Sequence, residues 1–507
     1  MTGFNLVDDS WIPCIKKGGQ YCECSLREAL FQAGDIIEIY DPSPLVTIAL
    51  HRLLLAILHR NFGPEDLTEW RKLWNQGHWD QRKLDEYFHK RYQRFNLFDR
   101  ERPFYQQAEL DGSSDEDTVA RIILEKASGN NATLFDHNYR VRPNVWSLKV
   151  SAAVAARHLV AFQAFAVGGG VSKPFNFCDA PLTRDLVFLV IGNDLFQTLM
   201  LNMVIYNAFK PIRHLGKDLP CWEQDTQAEP DKNGTLPSGY LDYLTWQSRA
   251  VRLFRDNDGR VSCCRVRQNL RLKEDSQTVS DPFKAYKRDK ARGWQPLRLG
   301  KNRAVWRDSH TFLQSAKPEI LHHLSQVGGQ VGGTYRLSVV GLVLSQANPV
   351  LWRHERLPLP VRYLCDDNLL EALKQLLDIA EKAARILREG LELLASRLIE
   401  ESKKKTGDTS NLVEHLSPEA HYWSRLGSLF PRLMQRLAED PTPDGERYGE
   451  RTKPWWAEEV REAAWQAFHS VIYSLGSSGN VLKAATVSAS CFEKKLHSVT
   501  NVRVQRR

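Results

Sequence analysis

From Asp366 to Ser402 the chain reads DDNLLEALKQLLDIAEKAARILREGLELLASRLIEES, with apolar residues recurring at spacings of three and four. At 3.6 residues per turn the run covers about ten turns. An apolar stripe of that length needs other helices to cover it, because an isolated amphipathic helix leaves the stripe in water. Partners follow at once: Glu414 to Leu437, Trp455 to Leu475 and Val481 to His497 repeat the pattern, separated by loops at Lys403 to Ser410 and Asp440 to Gly449. Four helices with short connections predict an up-and-down bundle over residues 364–507.

Upstream of this boundary both periodicities occur. FNLVDDSWIPCI alternates as strands, Gly18 and Gly19 make a turn, and Ser25 caps the short helix SLREALFQAG. Leu45 to Phe62 is apolar on most of its circumference and stops at Gly63-Pro64, which predicts a buried helix with His51 and His59 on its amphipathic edges. Helices are expected at Glu65 to Trp74, Lys83 to Phe95 and Trp146 to Phe165, with loops at Asp111 to Asp117 and Asn130 to Asn144. Then come a strand, DLVFLVI, a helix, LFQTLMLNMVIYNAF, a hairpin turning at Asn257 to Gly259, and a strand from Tyr335 to Leu344. Strands and helices do not alternate regularly. The fold class is therefore α+β: a large irregular mixed N-terminal domain over 1–363, followed by a C-terminal four-helix bundle.

At 507 residues the chain has room for about two to four folding units. Its hydrophobic fraction of 42% and its 14 Trp argue for globular structure rather than disorder. The net charge of +8 says less than its distribution. Lys284, Lys287, Arg288, Lys290, Arg292, Arg298, Lys301, Arg303 and Arg307 are opposed only by Asp289 and interleaved with Trp294 and Trp306, so the segment reads as a polyanion-facing surface or a solvated loop. The N-terminus lacks the pattern of a secretion signal, and no apolar run reads as a membrane span. Nine scattered cysteines suit a reduced cytoplasmic protein. Neither Cys22 with Cys24 nor Cys263 with Cys264 has zinc-ligand spacing, so no metal is expected.

Ala166 to Phe177 reads AVGGGVSKPFNF, in which Gly168, Gly169 and Gly170 follow an apolar helical run and precede Ser172, Lys173 and Pro174. Glycine is open to dihedrals that other residues avoid, and no side chain screens its backbone. Two readings stay open on these residues alone. One is a flexible surface turn; the other is close approach of main chain to a nucleic-acid backbone or groove floor, with Ser172 and Lys173 as donors.

Catalytic machinery is hard to find. Gly216-Lys217 is followed by Asp218 and Gly300-Lys301 by Asn302, so neither completes a phosphate-binding loop. HExxH, His-Asp and Gly-x-Ser-x-Gly are absent from the sequence. Arg353, His354, Glu355 and Arg356 form the densest titratable run, and sequence neighbours on extended chain point apart. An ion-paired strand or loop is the preferred reading. The alternatives are a metal-dependent nuclease centred on His354 and Glu355, and a purely scaffolding helical adaptor.

The order of these features resembles the CasA family, the large subunits of the type I-E CRISPR surveillance complex Cascade. FNLVDDSWIPCI, DPSPLVTIALHRLLLAILHR, FDRERPFYQ, AVGGGVSKP and SQANPVLWRHERLP carry the resemblance, together with the terminal helices, over essentially the whole chain. It implies a non-catalytic subunit without cofactors that reads the protospacer-adjacent motif in double-stranded target DNA. The same subunit would open the duplex beside the motif and recruit a separate helicase-nuclease, in a complex with guide RNA and other Cascade subunits.

Gly168, Gly169 and Gly170 match the family's glycine loop, which approaches the motif from the minor groove, with Lys173 beside it. Ser345, Gln346 and Ala347 match its Gln-centred wedge, with Ser345 standing where the best-known member has Asn; read alone they make a turn before Pro349. The family's lysine finger falls in the basic segment, at Lys287 with Arg288 close behind. Phe135 matches the segment that contacts the guide RNA, and a core phenylalanine is its other reading. The paired cysteines that the best-known member carries before its glycine loop are absent, so the resemblance brings no zinc.

Overall fold

Short polar residues start the helices by accepting from backbone N–H groups that lack an intrahelical partner. The computed structural model describes residues 3–112, 116–125, 148–207, 211–226, 228–273, 280–291, 293–300, 303–345, 348–399, 408–416, 418–440 and 448–501. Ser25 caps α1 (Leu26–Phe31) in a capping box, its Oγ accepting from Glu28 N at 3.1 Å while the Glu28 carboxylate accepts from Ser25 N at 2.8 Å. Ser43 caps α2 (Pro44–Phe62), Asp66 caps α3 (Leu67–Gln76), Asp80 caps α4 (Gln81–Arg91) and Ser151 caps α5 (Ala152–Phe165). Helix α5 begins later than predicted because Val150 is held in a bridge to Val261, with N–H to O distances of 2.9 Å both ways.

The strands make small antiparallel sheets. β1 (Ile12–Lys16) is central to the first, between β2 (Tyr21–Cys24) and β3 (Ile36–Ile39). A short β4 (Asp117–Thr118) and a buried β5 (Val187–Ile191) follow. After β5 the predicted long helix stops early, at α6 (Leu195–Asn202), because the Asn202 amide turns back onto β5: Val190 N–H donates to its Oδ1 at 3.0 Å and its Nδ2 donates to Val190 O at 2.6 Å. β6 (Arg249–Arg255) and β7 (Val261–Gln268) form the predicted hairpin, with β4 on the outer side of β7. β8 (Tyr286–Asp289) and β9 (Gly293–Pro296) form a separate ribbon. β10 (Thr334–Ser345) lies between β5 and β11 (Asn348–Pro360).

Helix α2 is the core of this region, and it has no amphipathic edge. His51 and His59 are 1% and 2% exposed. The His51 Nδ1 hydrogen-bonds the Thr47 carbonyl at 2.7 Å, while both ring nitrogens of His59 are buried without a hydrogen-bond partner among the described residues. Burial pushes the two imidazoles down to about 4 and about 3. Arg52, on the same helix, is buried against Asp281 at 3.0 Å, and the Tyr243 hydroxyl donates to the same carboxylate at 2.7 Å. Among the described residues α2 is the one helix long and apolar enough to cross a membrane, and here most of it is buried inside the fold.

The chain divides into two compact units. The first comprises Met1–Asn302, Ala316–Val327 and Tyr335–Arg356; the second comprises Arg303–Ser315, Gly328–Thr334 and Leu357–Arg507. The second unit thus differs from an uninterrupted block over 364–507. Its long helices are α7 (Asp367–Leu398), α9 (Pro418–Ala438), α10 (Thr452–Ser474) and α11 (Gly479–Thr500), with the short α8 (Asp408–Leu416) between the first two. Helix α7 packs against all the others, and α10 packs against α9 and α11. The upstream piece belongs here because Trp306 is buried against Trp423 and Phe430, and Arg307 is bidentate to Glu381 at 2.8 and 2.9 Å.

The depressed histidines predict a pH dependence. Between the ordinary histidine value of about 6.5 and the native values, the unfolded chain binds a proton that the native chain does not, so stability falls as pH is lowered. The slope is up to ~1.4 kcal/mol per pH unit for each histidine. Urea unfolding at neutral and mildly acidic pH should show this loss, and His59→Leu should flatten it.

Candidate nucleic-acid interface

Past α5 the chain runs out through the three glycines, turns, and comes back from Phe177 to Ala180. The two arms are laddered: Gly169 N–H donates to Phe177 O at 2.8 Å, Phe177 N–H to Gly170 O at 3.3 Å, and Ala180 N–H to Ala166 O at 2.9 Å. Gly168 N–H donates to the Asp179 carboxylate at 2.7 Å. A Cβ on Gly168 would lie 2.6 Å from Asp179 N and 2.8 Å from Cys178 C, so only glycine fits that crossing. Gly169 and Gly170 have φ of 103° and 86°, the left-handed region that side chains disfavour. Beyond them Val171 is 89% exposed, and Lys173 is exposed as well. The segment is therefore a tied loop, not a slack turn: its glycine stem is bare and its turn carries the exposed Val171 and Lys173.

A buried guanidinium fixes its base. Arg249, the first residue of β6, is 1% exposed. Its Nη2 donates to the carbonyls of Ala166, Val167 and Cys178 at 3.3, 3.2 and 2.6 Å, which joins both arms of the loop. Its Nη1 donates to Ser248 O at 3.0 Å and to Gln268 Oε1 at 3.2 Å. Burial pushes this arginine down to about 10, and the carbonyl dipoles stand in for the water it has lost. Gln163 of α5 clamps the Arg249 main chain in both directions, at 2.8 and 2.9 Å. Gln268, opposite Arg249 in the ladder, accepts from Cys178 N–H at 2.8 Å, and its own N–H donates to Ser172 Oγ at 2.9 Å. The Arg249 and Arg121 guanidiniums lie 5.2 and 5.3 Å from the centre of the Phe177 ring.

The segment that follows the loop roots two other features. Lys284 is buried, and its Nζ meets the Asp185 carboxylate at 2.7 Å and also donates to Pro181 O. Burial opposes its charge, but Asp185, helped by the neighbouring Tyr243, Tyr286 and Asp281, holds it well above the usual lysine range. Leu186 N–H donates to Leu297 O at 2.8 Å, so the β8–β9 ribbon springs from the same segment. β10 pairs with β5 up to Val340 opposite Val187, then continues five residues to Ser345, about 17 Å of extended chain. Trp352 of β11 meets Phe165 of α5 edge to face at 6.3 Å, three residues ahead of Gly168. Glycine loop, basic ribbon and the end of β10 thus share one foundation.

Lys287 and Arg288 are exposed on β8, opposite Gln295 and Trp294. Ser345 ends β10; Gln346, Ala347 and Phe135 lie outside the described residues. The basic segment is not one polyanion-facing surface. Lys284 and Arg307 are buried in ion pairs and Arg303 pairs with Asp308 and Glu381, so among the described residues the exposed charge is on the ribbon and on Arg298, which reaches Asp185 at 3.5 Å. His354 does not face Glu355: its Nε2 meets Ser338 Oγ at 2.9 Å, while Arg353 lies 3.9 Å from the Glu355 carboxylate. Among the described residues no group of three or more His, Cys, Asp or Glu side chains is arranged to hold a metal ion.

The exposed main chain at Gly169 and Gly170 and the exposed cations of the ribbon are thus anchored on one segment, and comparison with known proteins places the chain in a family. The sequence model of the CRISPR-associated protein Cse1 family matches residues 5–467. A CRISPR-associated protein CasA/Cse1 from Thermus thermophilus is 33% identical over 95% of both chains. A solved structure of Thermus thermophilus CasA superposes with a TM-score of 0.82 at 29% identity, covering 98% of this chain and 100% of that one. A chain from a CRISPR RNA-guided surveillance complex shares the fold, with a TM-score of 0.77 at 20% identity, over 97% of this chain and 100% of that one. The chain belongs to the Cse1, or CasA, family of large subunits of Cascade surveillance complexes.

Removing the guanidinium should release the loop. Arg249→Met leaves the Ala166, Val167 and Cys178 carbonyls short of a buried donor, at a cost of about 3 kcal/mol. Hydrogen exchange at the Gly168, Gly169, Phe177 and Cys178 amides should accelerate in this variant. Arg249→Lys should not restore full protection, because the shorter ammonium ends one atom short of Nη2 and has no second nitrogen to keep the Ser248 O and Gln268 Oε1 bonds.

Proposed function

We propose that this chain is the non-catalytic subunit with which a type I-E surveillance complex reads the protospacer-adjacent motif in duplex DNA. The observation that carries the reading is the exposed glycine stem of the loop. Gly169 and Gly170 leave main chain unscreened by side chains just before the turn that carries Lys173, and a minor groove about 6 Å wide admits backbone where side chains are too thick. The minor groove shows a degenerate pattern of acceptors, so contacts made by main chain favour shape over sequence. Lys173, Lys287 and Arg288 supply phosphate contacts that position the duplex without reading it.

Ser345, which ends β10, and Gln346 and Ala347, which follow it in the sequence, act as the wedge that parts the first base pair beyond the motif. Unstacking a step costs a few kcal/mol, which protein contacts to the splayed strands offset. Phe135 contacts the guide RNA. The other Cascade subunits complete the complex, which acts in the cytoplasm and recruits a helicase-nuclease to degrade the opened target.

The test uses the assembled complex with its guide RNA. Gly169→Leu adds a branched side chain to the exposed stem of the loop and should abolish motif-dependent duplex binding while guide RNA and partner subunits still co-purify; unchanged binding would refute the minor-groove role. Lys287→Ala should weaken all sequences alike and lower the salt slope of binding by about one unit. Gln346→Ala should bind the motif but form fewer open complexes, read by permanganate footprinting of unpaired thymines.

A further inference from the structure

The first sheet holds a group of thiols that the proposed DNA-reading role leaves unused. Cys14 of β1 stands directly opposite Cys22 of β2, and Cys24 follows two residues later, so all three side chains leave the same face. The Cys22 and Cys24 sulfurs are 3.7 Å apart, and either one can donate to the other. Cys24 is buried, whereas Cys22 is partly exposed on β2, the edge strand of the sheet. Hydrogen bonding from Cys14 brings the Cys24 thiol down to about 7, with Cys22 and Lys16 adding to the effect against burial; Cys14 is pushed up in return.

We propose that Cys22 and Cys24 form a peroxide-responsive dithiol that closes to a disulfide. Burial and the neighbouring Cys24 hold the Cys22 thiol up, so its proton passes to the Cys24 thiolate 3.7 Å away as the Cys22 sulfur, within reach of solvent, attacks hydrogen peroxide. An S–O bond forms, the O–O bond breaks, and the leaving hydroxide is protonated from solvent as water. The Cys24 sulfur then attacks the Cys22 sulfenic acid. An S–S bond forms, the S–O bond breaks, and the departing hydroxide takes the Cys24 proton as a second water. Two thiols are oxidised and one peroxide is reduced. The sulfurs must close from 3.7 Å to about 2.05 Å, which a four-residue edge strand can accommodate by bending on its unpaired side.

Trypsin makes the test direct, because cleavage after Lys17 and Arg27 leaves Cys22 and Cys24 in one peptide and Cys14 in another. The full chain is titrated with hydrogen peroxide, quenched with N-ethylmaleimide, digested and weighed. The expected product is the 18–27 peptide lacking two hydrogens and carrying no maleimide, reversed by dithiothreitol. It should be lost in Cys22→Ser and Cys24→Ser, retained in Cys14→Ser, and formed several-fold faster in the folded chain than in urea. The proposal is overturned if the peptide keeps both thiols alkylatable while the exposed Cys365 is oxidised, if Cys22 is instead joined to the Cys14 peptide, or if urea leaves the rate unchanged.

Discussion

The geometry of the candidate interface depends on one buried positive charge. Taking a guanidinium out of water is costly unless its donors are met, and Arg249 meets them with main-chain carbonyls from both arms of the glycine loop. The charge consequently works as a clasp: any opening of the loop strands a buried cation. This gives three successive glycines, the most flexible sequence a chain can have, the order of a short ribbon. Gln163 and Gln268 extend the clasp into α5 and β7, so that loop position is referred to the core and not to the surface.

From that foundation the surrounding features follow in sequence. Lys284 and Asp185 lock the segment after the loop, Leu297 carries the ribbon back onto it, and β5 hands it to β10. Exposed charge then includes the ribbon, where Lys287 and Arg288 stand clear of the ion pairs that bury Lys284 and Arg307, and Arg298 just past it. Such an arrangement separates exposed main chain at Gly169 and Gly170 from the cationic side chains of the ribbon, which is what the proposed reading of a duplex by shape and charge requires.

Much of the architecture was legible because it rests on local rules. Ser25, Ser43, Asp366 and Ser478 cap helices where short polar residues precede apolar periodicity, and the long stripe of α7 announced the helical second unit. What stayed hidden depends on partners distant in sequence. RAVRLFR reads as an ordinary strand, and nothing in it marks Arg249, rather than Arg252 or Arg255, as the buried clasp. Lys284 and Arg307 counted as surface charge because Asp185 and Glu381 lie 99 and 74 residues away. His51 and His59 were placed on edges, but a helix covered on nearly every side has none. The glycines were visible from composition alone, whereas the reason they hold a shape was not.

The central claim is that the motif is read from the minor groove by main chain. The most direct measurement compares binding of the assembled complex to duplexes whose motif purines are altered on one edge at a time. Adding or removing a purine 2-amino group changes only the minor-groove face, while a 7-deazapurine removes only a major-groove acceptor. The account predicts a large loss of affinity with the 2-amino changes and little or none with the 7-deaza changes. Sensitivity to the 7-deaza changes, with indifference to the 2-amino group, would contradict it.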